Sequence, residues 1–134
     1  MARLLGIRIK NYRALADVAV GQTKYAEGEP LPQLSCFIGP NGSGKSTLLD
    51  AFGFLADCLL EGVETACDKP ARGGFDRLRT QGTSEPIAFE LFYLLQNPAS
   101  TATTVQVTFL RPAPLAPIVK SVMLEPQSRF NIWV

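Results

Sequence analysis

The alternation of hydrophobic and polar residues at the start of the chain predicts two β-strands. Over residues 5–10, apolar side chains occupy every second position, which is typical of a half-buried strand; they are Leu5, Ile7 and Ile9. Residues 11–13 interrupt this alternation, and residues 15–20 are predicted to form a second strand. Residues 21–32 contain glycine and two prolines and are predicted to be a loop.

In the middle of the chain the spacing of apolar residues changes from that of a strand to that of a helix. Residues 33–38 are a short apolar run with a β-branched end, which predicts a buried strand. A glycine-rich segment follows, and residues 45–61 are predicted to be a helix that ends at Gly62. The predicted apolar stripe of this helix consists of Leu48, Phe52, Leu55 and Leu59.

The second half of the chain changes in character along its length. Residues 62–86 are polar and contain glycine, which predicts a loop, and residues 87–95 predict a strand buried on both faces. Residues 104–110 alternate like a strand. The segment 112–117 holds three prolines and is predicted to be neither a central strand nor a helix interior.

The composition restricts the class of protein but does not name a function. Hydrophobic residues make up 46% of the 134 residues and charged residues 19%, values that exclude a disordered chain, a collagen and a helical membrane protein. The net charge of +1 indicates neither a nucleic-acid binder nor a binder of acidic ligands. No signal-peptide pattern is present at the start, so we expect a soluble, cytoplasmic protein.

The counts of cysteine and histidine exclude several kinds of site. The chain has three cysteines and no histidine, which excludes Cys/His zinc sites and nucleophiles activated by histidine. Three reduced, buried thiols are therefore predicted at Cys36, Cys58 and Cys67.

One segment carries a specific chemical signal, the P-loop pattern GxxxxGK[ST]. It is matched by Gly39, Pro40, Asn41, Gly42, Ser43, Gly44, Lys45 and Ser46. Glycines allow the backbone N–H groups to point at phosphate oxygens, and Lys45 is expected to contact the β- and γ-phosphates. The Ser46 hydroxyl is expected to be a Mg²⁺ ligand, next to the positive end of the helix that begins here. The predicted strand before the loop and helix after it agree with this interpretation.

Two groups of cations are weaker candidates for contact with a nucleotide or a nucleic acid. The first lies on the first strand and the turn after it: Arg8, Lys10 and Arg13. The second lies in the loop of residues 62–86: Arg72, Arg77 and Arg79. For both groups a solvated surface position is the alternative. Gln81 is a further candidate for a position near the γ-phosphate, and Asp57 is predicted to face solvent.

Residues 7–15 and 37–52 together resemble the opening of a RecF/SMC-type ATPase. The resemblance covers about residues 3–95 and is strongest to AAA family ATPases of the AAA_21-like group, which have an ABC-type head. It implies an α/β fold, the N-terminal lobe of a P-loop NTPase, with an antiparallel β-layer next to the strand–P-loop–helix unit. It also implies ATP and Mg²⁺ as cofactors, adds Thr47 to the phosphate-binding residues and places Arg13 near the nucleotide.

The chain departs from that family after the P-loop. It has no apolar run ending in Asp-Glu and no LSGGQ-like signature, elements that lie hundreds of residues further on in the family. We therefore predict a P-loop nucleotide-binding lobe at residues 1–96. Residues 97–134 are predicted to be a proline-rich, low-charge tail of uncertain fold, interpreted as the result of truncation or of an out-of-frame end.

These observations predict an ATP-binding segment that hydrolyses ATP only together with the missing half of the ATPase. Homodimerisation of ATPase heads is implied for the parent protein, with DNA or a protein as further partner and no membrane. Two alternatives stay open: a non-catalytic remnant or interaction module without nucleotide affinity, and a small kinase.

Overall fold

The dominant element of the structure is a six-stranded antiparallel sheet. The structure is a computed structural model that describes residues 2–23, 27–95, 101–109, 119–124 and 128–133. The strand order is β2-β1-β3-β4-β5-β6. In chain order the strands are β1 (Ala2–Tyr12), β2 (Leu15–Gly21), β3 (Ile87–Leu95), β4 (Thr101–Phe109), β5 (Val119–Leu124) and β6 (Ser128–Trp133).

Three helices lie between β2 and β3 in the chain: α1 (Lys45–Leu60), α2 (Val63–Asp68) and α3 (Phe75–Leu78). Helix α1 packs on the sheet through Phe54, whose ring contacts aromatic rings of β1, β3 and β4. The expectation of a plain loop over residues 62–86 is therefore wrong. Apolar side chains at the spacing of one helical face produce α2, because burying them stabilises a short helix; they are Val63, Ala66 and Cys67.

The strands predicted from alternation are confirmed. Residues 5–10 lie inside β1, residues 15–20 inside β2, and β3 has the predicted bounds. Residues 104–109 of the predicted fourth strand lie in β4. One face of β3 is buried at Ile87, Phe89 and Leu91, and Glu90 is buried on the other face, so burial on both faces holds for the first half of the strand.

The turn between β1 and β2 changes which side chains of β1 enter the core. Asn11 has a φ of 58° and Arg13 a φ of 50°, both in the left-handed region. Because Asn11 breaks the alternation, Tyr12 joins Ile9 in the core although their positions differ by three and not by an even number. Asparagine adopts this conformation at low cost, whereas arginine does so only when its surroundings hold it. Here the Arg13 N–H donates to the Leu78 carbonyl at 2.6 Å.

The apolar stripe predicted for α1 is only partly right. Leu48 and Leu55 are buried as expected, but Leu59 is 82% exposed and Phe52 is half-buried. The face that packs on the sheet consists of Leu48, Ala51, Phe54, Leu55 and Cys58. The helix has apolar side chains on more than one face, and the large aromatic ring of Phe54 decides which face the sheet covers, because it buries the most apolar area.

The expectation of a buried strand over residues 33–38 is wrong. These residues form no regular element, and Leu34 and Ile38 are 88% and 92% exposed. A strand exists through pairing with a neighbour, and in the described part of the chain none of the six strands pairs with this segment. An apolar run indicates that a segment suits a buried strand, but it does not supply the partner.

The described residues after position 96 contribute three strands to the same sheet. β4 pairs along its length with β3, β5 pairs with β4, and β6 pairs with β5. The proline-rich residues 112–117 lie outside the described residues. The division of the chain at residue 96 stays a prediction. No helix in the described ranges is long and apolar enough to cross a membrane.

The three cysteines are free thiols in two different environments. Cys58 and Cys67 are buried, as predicted, whereas Cys36 is exposed and contradicts the prediction. Cys36 belongs to the 33–38 segment, so its exposure follows from the missing pairing of that segment. Burial raises the pKa of the Cys67 thiol to about 11.

We expect the free energy of unfolding to fall by about 2 kcal/mol as the pH rises from about 9 to about 11. Over this range the unfolded chain releases the Cys67 proton, whereas the folded protein keeps it. The stabilisation is therefore complete below the pKa of Cys67 in the unfolded chain. It is lost as the pH rises through the pKa of Cys67 in the folded protein. Burial also raises the pKa of Tyr12, which acts in the same direction. Urea titrations at several pH values measure this change. In Cys67→Ala the free energy of unfolding should fall less steeply with pH than in wild type. The variant Cys36→Ala, altered at an exposed thiol, should show the same fall of the free energy of unfolding with pH as wild type. The same fall in all three proteins would contradict the assignment of this effect to Cys67.

Candidate functional site

Residues 39–44 form an exposed loop that leads directly into α1. A turn closes the loop, since the Ser43 N–H donates to the Pro40 carbonyl at 3.2 Å. Gly42 and Gly44 have φ values of 83° and 93°, a conformation that L-amino acids with a side chain rarely adopt. A Cβ at Gly42 would meet no atom within 4 Å, so this position requires glycine for its backbone conformation and not for lack of space.

The side chain of Lys45 folds back over this loop. Its ammonium donates to the carbonyl oxygens of Gly39 at 2.6 Å and of Pro40 at 2.7 Å. The third contact, to Ser43 Oγ, is longer at 3.3 Å. An ammonium has three N–H donors, so two of them hold the start of the loop and the third makes the weakest hydrogen bond.

The N-terminus of α1, which begins at this lysine, has no side-chain cap. Gly44 is the N-cap residue and supplies no side-chain cap, and the first turn contains no acidic residue. The intrahelical ladder begins where the Leu48 N–H donates to the Gly44 carbonyl at 2.9 Å. The preceding N–H groups of Lys45, Ser46 and Thr47 therefore have no acceptor within the helix, and the positive end of the helix dipole is not compensated by a carboxylate.

One turn further along α1, Asp50 connects the helix to two other parts of the chain. Tyr12 Oη donates to Asp50 Oδ2, and Arg13 Nη1 lies 3.5 Å from the same oxygen. Arg72 Nε and Nη2 both lie 3.3 Å from Asp50 Oδ1. Burial and the hydrogen bond to Asp50 raise the pKa of Tyr12, so this phenol is a hydrogen-bond donor at neutral pH.

The Arg72 guanidinium is the centre of this network. Its side chain is only 6% exposed, and Nη1 donates to Asp57 Oδ2 at 2.6 Å and to the Ala66 carbonyl at 3.0 Å. Lys69 Nζ lies 2.8 Å from the other oxygen of Asp57. Lys69 and Arg72 together hold the pKa of the Asp57 carboxyl below its usual range. The network thus fixes the helix that follows the P-loop against the β1–β2 turn and the α2–α3 segment.

The structure separates the candidate residues of the sequence into two sets. Residues 39–47 lie together at the loop and the start of α1, with Arg13 connected to α1 through Asp50. The other cations lie elsewhere: Arg8 pairs with Asp17 at 2.7 Å, and Arg79 lies 3.8 Å from Asp76. Lys10 is half-buried on β1, and Arg77 and Gln81 are exposed.

Two expectations about charged residues are wrong. Arg72 does not lie on the surface, and Asp57 is not a solvated carboxylate, because the two side chains pair with each other. The spacing of two carboxylates could have predicted this: Asp50 and Asp57 are seven residues apart, so they lie on the same side of a helix and can share one guanidinium. The role of Tyr12 was also missed, since its position in the core depends on the conformation of Asn11.

Comparison with known proteins identifies the family. Residues 34–110, more than half of the chain, match the family described as "AAA domain, putative AbiEii toxin, Type IV TA system". The chain therefore belongs to this AAA domain family. The matched range contains the P-loop, the three described helices, β3 and β4.

Two curated relatives share part of the sequence. Structural maintenance of chromosomes protein 1 of Saccharomyces cerevisiae is 40% identical over 55 residues, which are 41% of this chain and 4% of the yeast protein. The DNA replication and repair protein RecF of Bacteroides thetaiotaomicron is 41% identical over 56 residues, which are 42% of this chain and 13% of that protein. The chain thus spans a small part of both relatives and corresponds to an N-terminal portion of a RecF/SMC-like AAA ATPase. No solved structure matches the chain.

Proposed function

We propose that the chain binds ATP with Mg²⁺ through the loop and helix start formed by residues 39–47. The observation that carries this proposal is the uncapped N-terminus of α1, with no acid in its first turn, directly after the loop whose atoms the Lys45 ammonium contacts. Free N–H groups, a helix dipole and a point charge together favour a polyphosphate over a neutral ligand. Membership of the AAA domain family supports the same conclusion.

The residues present fit such a ligand. Lys45 keeps its two short bonds to the carbonyls of Gly39 and Pro40, and its third N–H leaves Ser43 Oγ to donate to a phosphate oxygen. The N–H groups of residues 45–47 donate to further phosphate oxygens. The Ser46 hydroxyl is exposed at the start of the helix, where it is placed to serve as a ligand of Mg²⁺.

Binding and hydrolysis are separate properties of this chain. When bound, Mg²⁺ neutralises charge that develops on the phosphates. Hydrolysis also requires a group that orients the attacking water, and the sequence has no apolar run ending in Asp-Glu after the P-loop. We therefore propose that the chain alone binds ATP without turning it over, and that the remainder of a RecF/SMC-like ATPase supplies the missing groups. Homodimerisation and contact with DNA or a protein belong to the same proposal, by analogy with the relatives.

Lys45→Ala is expected to weaken the binding of a fluorescent ATP analogue with Mg²⁺ at least tenfold, a loss of about 1.4 kcal/mol. The measurement is a fluorescence titration of the purified full chain. Among the described residues the Lys45 ammonium donates to loop atoms, so its removal should leave the sheet and helices intact, as circular dichroism can verify.

The matched control is Lys69→Ala. Lys69 pairs with Asp57 and Glu61 near the other end of α1, so its removal should leave the affinity for the analogue unchanged. Equal binding by wild type and Lys45→Ala, or no saturable binding by wild type, would contradict the proposal. The second outcome would favour the alternative of an interaction module without nucleotide affinity.

A further inference from the structure

Asp50 is the acidic residue of α1 that lies nearest to the P-loop. It follows Ser46 by four residues, which places the two side chains on one face of the helix with their Cβ atoms about 6 Å apart. Side chains of a helix lean towards its N-terminus, so the Asp50 carboxylate leans towards the turn at which we place the phosphates. An uncompensated negative charge at this position would repel a polyphosphate.

The Asp50 carboxylate is compensated by donors on both of its oxygens. Tyr12 Oη donates to Oδ2, and the Arg13 guanidinium lies 3.5 Å from the same oxygen. Oδ1 accepts from Nε and Nη2 of Arg72, both at 3.3 Å. The Arg72 side chain is only 6% exposed, whereas that of Arg13 is 31% exposed, so water screens the Arg72 charge less. Arg72 therefore supplies the larger part of the positive charge that offsets Asp50.

The Arg72 guanidinium is fixed in place by contacts on its other side. Nη1 donates to Asp57 Oδ2 at 2.6 Å and to the Ala66 carbonyl at 3.0 Å. The planar group lies 5.3 Å from the centre of the Phe54 ring. An arginine held in this way does not move to a ligand, so it acts on the P-loop through Asp50 and not by contact with phosphate.

We propose that Arg72 is a positioning residue for ATP binding: it holds and neutralises the Asp50 carboxylate and thereby keeps the start of α1 positive enough to bind a polyphosphate. The proposal rests on the proposed binding of ATP by residues 39–47. Without Arg72, Asp50 would keep one longer ion pair, to Arg13, and its negative charge would act on the phosphates. The affinity for ATP then depends on the net charge of the pair formed by Asp50 and Arg72, which is neutral in wild type.

The test is a fluorescence titration of the full chain with the ATP analogue and Mg²⁺, on wild type and on three variants of this pair. Arg72→Met leaves a net negative charge and should weaken binding at least about threefold, the order expected for one unit charge roughly 10 Å from a phosphate near the protein surface. Asp50→Asn leaves a net positive charge and should tighten binding by a similar factor. The double variant Arg72→Met/Asp50→Asn has the net charge of wild type, so its affinity should return to within about twofold of the wild-type value.

The direction of these effects distinguishes charge from structure. If the pair acted only through packing, Asp50→Asn would bind no more tightly than wild type, and the double variant would bind no better than Arg72→Met. Urea unfolding supplies a second readout: the double variant should stay less stable than wild type, because Asp57 and the Ala66 carbonyl still lack the arginine donor. Asparagine matches aspartate in shape, so Asp50→Asn should fold and tests the proposal even if Arg72→Met is too unstable to purify.

Lys69→Met is the matched control for the removal of a cation from this network. Lys69 pairs with Asp57, which lies about 10 Å further along α1 than Asp50. Its removal loosens the same network and leaves an unbalanced charge only far from the P-loop. The affinity of this variant for the analogue should therefore stay within about twofold of that of wild type.

Several results would overturn the proposal. They are unchanged or weaker binding by Asp50→Asn, a double variant that binds as weakly as Arg72→Met, or the same weakening in Lys69→Met as in Arg72→Met. Saturable binding by wild type that Lys45→Ala weakens and the charge variants leave unchanged would overturn this proposal alone. No saturable binding by wild type would overturn the proposed function together with it.

Discussion

Arg72→Met is expected to lower the free energy of unfolding by about 3 kcal/mol, at the lower end of the range for breaking a buried ion pair. The guanidinium is only 6% exposed and contacts Asp50, Asp57 and the Ala66 carbonyl. Methionine fills similar space but leaves these acceptors without their donor. The two carboxylates are partly exposed and keep other partners, which is why we do not expect a larger loss. Urea unfolding followed by circular dichroism measures the change.

Two further variants separate the network from a general effect of removing a cation. Arg77→Met alters an exposed arginine five residues later in the chain and should change the stability by less than about 0.5 kcal/mol. Arg72→Lys keeps the charge but cannot reach Asp50 and Asp57 at once, so an intermediate stability is expected. Wild-type stability for Arg72→Met would mean that the network contributes nothing to folding.

The pH dependence gives an independent measure of the same network. Lys69 and Arg72 hold the pKa of the Asp57 carboxyl below its usual range. Asp57 therefore stabilises the folded state at pH values above the pKa that it has in the unfolded chain. This stabilisation is lost as the pH falls through the pKa of Asp57 in the folded protein. In Arg72→Met the pKa of Asp57 should move up towards the usual value. The acid-induced loss of stability attributable to Asp57 should therefore become smaller.

The features that could be predicted from the sequence are those set by local spacing. β3 has its predicted bounds because Ile87, Phe89 and Leu91 alternate onto one face, and this pattern needs no knowledge of the neighbours. The start of α1 at Lys45 follows in the same way from the glycines before it. The motif of residues 39–46 is also local, which explains why the sequence predicts where a phosphate site would lie.

The features that could not be predicted depend on contacts between distant residues. Residues 33–38 have the composition of a buried strand, but whether they pair depends on a neighbour that the segment itself does not encode. Arg72 appears as one cation of a polar loop, and its burial follows from carboxylates 22 and 15 residues away. The core position of Tyr12 depends on the left-handed backbone of Asn11, which alternation alone does not reveal.

Phe54→Ala is expected to lower the free energy of unfolding by about 4 kcal/mol, a large part of the stability of a domain this size. Phe54 is fully buried and is the side chain through which α1 meets the sheet. Its ring centre lies 5.2 Å from that of Phe109 and 5.5 Å from that of Tyr12. It also lies under the Arg72 guanidinium, at 5.3 Å, so its removal leaves a cavity between the aromatic cluster and the charged network.

Phe52→Ala is the matched control for this prediction, because it removes the same ring two residues away on the half-buried face of the helix. We expect a clearly smaller loss of stability, and equal losses would mean that the Phe54 cluster is not what joins α1 to the sheet.

The destabilised variant Phe54→Ala also tests whether ligand binding at the P-loop is coupled to folding. A ligand that binds only the folded state raises the unfolding midpoint, so an excess of ATP and Mg²⁺ should partly restore the stability of Phe54→Ala. The same excess should stabilise the double variant Phe54→Ala/Lys45→Ala less, by about 1.4 kcal/mol for a tenfold weaker affinity, because this chain lacks the lysine that we propose contacts the phosphates.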